Sequence, residues 1–268
     1  MLDIDLKNLK PPYLIHSDIF RASCFLKKEI VCSHNGSNIN EIHLRFLSKC
    51  FGNDNLIFPS FNYDFPRSKI FNLKTTPSQV GDLTNHVLNS GSFYRTKTPV
   101  FSFLTKMNNL TNNYHNAPFG YGSVFDFIFD NDGSIIFYGT GIDSCTYLHF
   151  VELQFGPPIY RYDKTFSGTL IDGSDSTEVE VSFHVRPLGL NIDYKWDYIY
   201  ELLNENHSII RFTNNFFAVK ARRISDILGN VLLRNPFSIL DDQSRPKVEQ
   251  KWILLGRRFL ISDFEGSS

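Results

Sequence analysis

The step from an apolar strand straight into a capped helix, PYLIHSDIF at residues 12–20, constrains this chain more than any other feature. Pro12 to His16 is a run of strand length. Ser17 and Asp18 follow, and both residue types accept hydrogen bonds from the free amides of a helix start. IFRASCFL, from Ile19 to Leu26, then reads as a helix. Strand, tight turn and helix form the unit from which layered α/β folds are built. The alternation recurs. EIHLRFLSKCF at 41–51 carries its apolar residues at mostly helical spacing. NLIFPS at 55–60 is another short apolar run, and it ends in a polar-aromatic loop, FNYDFPRS, that reads as partly exposed. VGDLTNHVLNSG at 80–91 reads as a helix closed by Gly91. YRTKTPVFSFL at 94–104 returns toward strand, and GSVFDFIFDNDGSIIFY at 122–138 holds a helix, a turn at Asn131–Gly133 and a strand.

The pattern changes after residue 155. GPP at 156–158 is a hard stop. From Tyr160 to Pro187 the sequence is strand-like, and TEVEVSFHVRP alternates strictly. Val179, Val181, Phe183 and Val185 point one way; Glu178, Glu180, Ser182 and His184 point the other. This predicts a small antiparallel β insertion over about 158–190, inside one domain spanning residues 1–268. YKWDYIYELLNE at 194–205 then reads as a helix, with a strand-turn-helix tail after it. The expected class is α/β, doubly wound or sandwich-like.

Composition narrows the function. A formal net charge of −1 over 268 residues removes the global basic field that nucleic acid requires. The N-terminal MLDIDLKNLKPPYLIH lacks the apolar core of a signal peptide, and the chain holds no apolar run long enough to span a bilayer. The expectation is a cytoplasmic protein with small-molecule partners, neither nucleic acid nor membrane, and a homodimer remains open. Cys24, Cys32, Cys50 and Cys145 show no CxxC spacing and read as buried reduced thiols.

Chemistry concentrates in CTYLHFVELQFGPP at 145–158. His149 and Glu152, three apart, share one helix face. A carboxylate beside an imidazole fixes its tautomer and raises its basicity, which suits a general base. The other readings are a solvated pair and two zinc ligands; the familiar zinc helix spaces its histidines at i and i+4, so no metal is expected. Cys145 is either a core thiol or a nucleophile. GTGIDS at 139–144 follows a strand, and its turn amides suit an oxyanion. IHSD at 15–18, YRTKTPVFSF at 94–103 and FGYGS at 119–123 place hydroxyls at the edges of apolar runs.

In their order, YLIHSDI at 13–19, FPSFNYDF at 58–65, TPSQVGDLTNHV at 76–87, YRTKTPVFSF, FGYGS and IIFYGTGIDSCTYLHFVE at 135–152 resemble the aminoglycoside 3-N-acetyltransferase family. The resemblance runs from about residue 13 to 155. Two departures stand out: Thr98 where the family usually carries histidine, and Val124 where proline usually follows Ser123. The resemblance implies an α/β/α sandwich around a central mixed sheet and an acyl-CoA-dependent N-acyltransferase. It implies His149 as catalytic base with Glu152 as its partner. It implies acyl-CoA contacts at Ser17, Arg95, Thr96, Ser102, Phe119 and Ser123, and acceptor contacts at Asn62, Tyr63, Asp64 and Asp143. For the acceptor, a drug-modifying member should show acidic clusters, and Asp172, Asp175, Glu178 and Glu180 form a modest one. Lys220, Arg222, Arg223, Arg234, Lys251, Arg257 and Arg258 suit a nucleotide diphosphate instead. The sequence therefore favours a nucleotide-linked amino sugar over an aminoglycoside, with a non-catalytic CoA- or sugar-binding module as a third reading.

Overall fold

A computed structural model describes residues 6–26, 38–112 and 114–265; Cys32 lies outside them. Strand β1 (Tyr13–Ser17) leads directly into a single helical turn, Ile19–Ala22, where the Asp18 carboxylate accepts from the Arg21 amide. The helix expected to reach Leu26 gives way to turns after Ala22. In chain order follow α1 (Ile39–Phe51), β2 (Leu56–Pro59), β3 (Ile70–Asn72) and α2 (Asp82–Ser90). Next come β4 (Tyr94–Arg95), β5 (Phe103–Thr105), α3 (Val124–Asp130), β6 (Ser134–Tyr138) and α4 (Leu148–Gln154). The second half holds β7 (Tyr162–Asp172), β8 (Asp175–Val185), α5 (Trp196–Glu205), β9 (Ile209–Thr213), β10 (Phe216–Lys220), α6 (Ala221–Arg234) and α7 (Arg245–Leu255).

The main sheet has seven strands in the order β4-β5-β2-β1-β6-β10-β9. β1 runs parallel to β2 and to β6, and the flanking pairs are antiparallel, so the sheet is mixed. Period-two alternation sorts its side chains into two cores. Leu14, Ile57, Ile135 and Phe137 pack on one face with Phe125, Leu148, Val151 and Leu228 of α3, α4 and α6. Tyr13, Ile15, Phe58, Ile136 and Tyr138 pack on the other with Phe46 and Leu47 of α1 and Leu83 of α2. Each buried side chain of this size contributes roughly 1.5–3 kcal/mol, so both helical layers are held by the strands between them. The result is the α/β/α sandwich.

The connection from β1 to β2 crosses by α1 on one face. The route from β2 to β6 enters by α3 on the other. The order therefore reverses at β1, and a crevice opens outside the carboxyl end of that strand. Gly139, just after β6, stands there with φ 76°; a Cβ on it would lie 2.2 Å from the Asp18 carbonyl oxygen. Only glycine lets the two strand ends approach so closely.

The antiparallel pair β7–β8 runs in register from Tyr162↔Val185 to Asp172↔Asp175. It is not self-contained, because β3 from the first half pairs parallel with β7. Val179 and Val181 are buried and Glu178 and Glu180 exposed, as the alternation predicts. At the root of the hairpin the pattern breaks: His184, expected on the polar face, is buried, and Phe183 is half-buried. Phe119 packs 5.2 Å from the His184 ring and 6.1 Å from the Phe183 ring, so both faces of β8 are covered there. The loop after β2 is partly exposed, as expected: Phe61, Asn62 and Phe65 are buried, and Tyr63, Arg67 and Ser68 are exposed.

Candidate active site

α4 begins one 3₁₀ turn after the GTG crossing and ends before Gly156 and the two prolines that follow it. Its apolar residues Leu148, Phe150 and Val151 face the core. His149 and Glu152 lie one helical turn apart, and their side chains meet: Nδ1 of His149 is 3.1 Å from Oε2 of Glu152. The Glu152 side chain is 1% exposed, while His149 keeps 22% of its surface open. A carboxylate buried this deeply requires partners. Tyr194 donates to Oε2 at 2.8 Å, and Tyr160 donates to Oε1. The Arg161 Nε lies 3.6 Å from Oε2, and Nη2 of Arg161 donates to the Tyr194 hydroxyl at 2.6 Å. His184 Nε2 is also 3.6 Å from Oε2. Two aromatic hydroxyls, two imidazoles and a guanidinium therefore converge on one carboxylate.

The electrostatics follow. Burial pushes the Glu152 pKa up. The Arg161 charge and the hydrogen bonds from His149 and His184 outweigh it and hold the carboxyl well below its usual range. For His149, burial outweighs the raising effect of Glu152 and brings the imidazole down to about 4. At neutral pH the pair is thus a carboxylate beside a neutral ring. The carboxylate accepts the Nδ1 proton, which fixes the tautomer and leaves Nε2 as a lone-pair base. Burial also pushes the Tyr160 and Tyr194 phenols well above their usual value, so both remain donors. Among the described residues, His149, Glu152 and His184 are the group whose ligand atoms cluster closely enough for a metal, within 4.8 Å. The Arg161 guanidinium beside Oε2 of Glu152, with one phenol proton on each carboxylate oxygen, opposes a cation there and suits an oriented base. Cys145 is buried, and burial pushes its thiol up to about 12, far from a reactive thiolate.

Three cavities that share lining residues lie on or beside this network. One of about 400 Å³ is lined by His149, Phe119, Phe101, Phe183, Arg161 and His184. A second, about 300 Å³, lies at the carboxyl ends of β1 and β2 and shares Tyr63 and Thr146 with the first. The third, about 1100 Å³, shares Asp143 with the second and includes Tyr194 in its wall. Five aspartates line it, Asp143, Asp193, Asp197, Asp241 and Asp242, against Lys195 and Lys247.

The residues anticipated from sequence divide accordingly. Ser17, Tyr63, Phe119, Asp143 and His149 reach these cavities. Arg95, Thr96, Ser102 and Ser123, expected against acyl-CoA, are buried and engaged within the fold. Arg95 donates to the Ser60 and Thr76 carbonyls and to Ser102, which itself donates to Ser60. Thr96 accepts from the Phe103 amide, and Ser123 caps α3. Asn62 and Asp64, expected against the acceptor, line a separate cavity with Asn72, Thr76 and Ile171. There Asn62 ties the Pro77 carbonyl to the Asp64 amide, and Asp64 pairs with Arg67 and Gln79. The Gly139 amide, an oxyanion candidate, is taken by the Asn215 carbonyl at 2.7 Å. Cys24 is exposed, not buried. Tyr160, Arg161, His184 and Tyr194 were not anticipated. For Tyr160 and Arg161 the one signal was the polar and aromatic YRYD at 160–163, just past the GPP stop; His184 and Tyr194 carried none.

The site is thus an imidazole paired with a buried carboxylate and open to a cavity, set in an α/β/α sandwich. The family model for aminoglycoside 3-N-acetyltransferase matches residues 53–217, more than half of the chain, and the chain belongs to that family. The match extends well past residue 155, where the sequence resemblance faded, and so takes in Tyr160, Arg161, His184 and Tyr194. No curated protein sequence matches significantly. Among solved structures, the apoenzyme of aminoglycoside acetyltransferase AAC(3)-IVa is 17% identical with a TM-score of 0.62, over 91% of this chain and 92% of that one. AAC-IIIb, solved as a binary complex with CoASH, is 13% identical with a TM-score of 0.65, over 86% and 94%. The YokD protein from Bacillus subtilis is 14% identical with a TM-score of 0.62, over 87% and 92%. At such identities these relatives establish the shared fold. The protein is an N-acetyltransferase that uses acyl-CoA as co-substrate. No helix among the described residues is long and apolar enough to cross a membrane.

Proposed function

We propose that this enzyme acetylates an amine of a polycationic amino sugar of the aminoglycoside class, with His149 as the base. The observation that carries this is the aspartate-lined cleft, where Asp242 pairs with Lys195 but Asp143 and Asp197 have no partner among the described residues, and whose wall includes Tyr194, the residue that also touches His149 and Glu152. Aspartates concentrated in a concave site attract ammonium groups and repel a diphosphate. Five of the seven basic residues that favoured a nucleotide sugar are engaged elsewhere. Lys220 pairs with Asp132, Arg257 with Asp263 and Arg258 with Asp163, while Arg222 and Arg223 hold backbone carbonyls. Nor is the acidic run on β7–β8 the acceptor site: Asp172 pairs with Lys97, and Glu178 and Glu180 bond hydroxyls within the hairpin. The likeness to an AAC(3)-IVa variant solved in complex with a gentamicin supports the same acceptor class.

A neutral acceptor amine attacks the thioester carbonyl, and its nitrogen becomes strongly acidic as the bond forms. Nε2 of His149 takes that proton; Glu152 holds the imidazolium meanwhile through Nδ1–H. Collapse of the adduct breaks the carbon–sulfur bond, and the imidazolium returns its proton to the departing thiolate. With a pKa of about 4, His149 does not strip a resting ammonium; it acts once attack has begun.

The test measures CoA release with gentamicin-type drugs and with nucleotide-linked amino sugars. Turnover of the drugs is expected, falling about 10²–10⁴-fold in His149→Ala while CoA still raises that variant's Tm. Turnover of nucleotide sugars alone would overturn the acceptor, and wild type that binds CoA without turnover would overturn catalysis.

A further inference from the structure

His149 needs an acceptor amine that has already lost its ammonium proton, and the cavities differ in the charge they present to one. The large cleft sets five aspartates against Lys195 and Lys247. The cavity at His149 reverses the sign. Its ionisable lining is Tyr63, His149, Arg161, His184 and Arg186, with no carboxylate among the described residues. Glu152, behind His149, faces the Arg161 guanidinium at 3.6 Å, and those two charges offset one another. Arg186 is left over. It follows β8 directly, is exposed, and makes no ion pair with a described residue. Its field reaches the cavity wall: burial pushes the Tyr63 phenol up, and the Arg186 charge opposes that rise.

We propose that Arg186 determines acceptor specificity: its charge makes the His149 cavity a site for a neutral, weakly basic amine, while the acceptor's other ammonium groups stay in the aspartate-lined cleft. This inference rests on the polycationic-acceptor reading above and adds to it a residue that selects which amine reacts. A cation beside an ammonium disfavours the charged form and lowers its pKa; a carboxylate does the reverse. The two cavities therefore sort the amines of one molecule. The more basic ones keep their protons among the aspartates, and the least basic one meets His149 with its lone pair free. The cavity at His149 holds about 400 Å³. Two unit charges facing each other across such a space, roughly 8 Å apart, change the bound amine's pKa by about 1 after screening.

The experiment follows single-turnover acetyl transfer from acetyl-CoA to a saturating gentamicin, as a function of pH, in wild type, Arg186→Gln, Arg186→Glu and Arg186→Lys. Single turnover excludes product release, and saturation makes the acid limb report the bound amine. The rate falls as pH drops through that amine's pKa. Arg186→Gln should move the limb up by about 1 pH unit and Arg186→Glu by about twice as much. Arg186→Lys should leave it in place. The acid limb of kcat/KM belongs to the free acceptor and should not move in any variant. Coincident single-turnover limbs in wild type, Arg186→Gln and Arg186→Glu overturn the proposal and leave the acceptor reading intact. So does an Arg186→Gln enzyme whose one defect is weaker CoA binding by calorimetry, which would give the charge to the co-substrate's phosphates. Wild type that acetylates nucleotide-linked amino sugars and no gentamicin overturns the acceptor reading, and this inference with it. Should the Arg186 variants fail to fold, salt decides: screening must move the wild-type limb to higher pH, and a limb unmoved by salt refutes the proposal.

Discussion

Glu152 gives the sharpest test, because its charge serves two functions at once. Glu152→Gln preserves shape, but it leaves Arg161, whose side chain is 2% exposed, without its one carboxylate neighbour among the described residues. Breaking a buried pair by neutralising one partner costs about 3–5 kcal/mol, most of it the stranded charge. Unfolding entropy near ~2.1 cal/mol/K per residue gives ~0.56 kcal/mol/K for 268 residues, so Tm should fall by about 5–9 °C. The rate should fall about 10²–10⁴-fold, because Nδ1 loses the carboxylate that stabilises the imidazolium. Differential scanning calorimetry and CoA-release kinetics on Glu152→Gln, Arg161→Met and the double variant separate the two effects. Removing both charges should restore most of the lost Tm, since an apolar replacement of a buried ion pair is often near neutral. It should restore none of the rate. A double variant no more stable than Glu152→Gln alone would refute the stranded-charge argument, and a Glu152→Gln enzyme of near-normal rate would refute the bracing role.

Three further outcomes are expected. The acid limb of kcat/KM should follow the acceptor's amine, near about 8 for an amine resembling an α-amino group, and should move when an acceptor of different amine pKa is used; a limb fixed near 6.5 for every acceptor would mean that His149 titrates normally. Asp143→Asn combined with Asp197→Asn should raise KM for a polycationic acceptor, most at low salt, with kcat little changed; these two carboxylates line the cleft without a partner among the described residues, and an unaffected KM would move the acceptor elsewhere. Finally, His16, His43 and His149 are held at about 3, 4 and 4, below the ordinary 6.5, by burial first. The unfolded chain therefore binds protons below pH 6.5 that the native state refuses, so stability is full above that pH and is lost as pH falls toward 4. Three such groups amount to roughly 3–4 kcal/mol between pH 6 and pH 5, measurable by urea unfolding at the two pH values; equal stability at both would show that these rings are charged in the native state.

Local chemistry was legible where a segment's own neighbours decide its structure. PYLIH became β1 and VGDLTNHVLNSG became α2 closed by Gly91, because apolar spacing and end residues act within a few positions. The His149–Glu152 contact was legible for the same reason, since three residues on a helix is one turn. The hydroxyl-rich segments could not be sorted from sequence, because a serine at a strand edge looks the same whether, like Ser17, it lines a cavity or, like Ser102, it meets a carbonyl 42 positions away. The acidic cleft was invisible as well: Asp143, Asp193, Asp197, Asp241 and Asp242 are scattered over a hundred positions and gather only when α5 and the segment before α7 fold against the turn after β6. The charge of the base was also decided in three dimensions. Glu152 stays ionised and His149 neutral because Arg161, Tyr160, Tyr194 and His184 arrive from β7, β8 and their flanking loops, and burial and field depend on distance through space, not along the chain. The sequence by itself determined most of the strands and helices and the imidazole beside its carboxylate. Tertiary packing alone decided which groups surround that pair and what charge it carries.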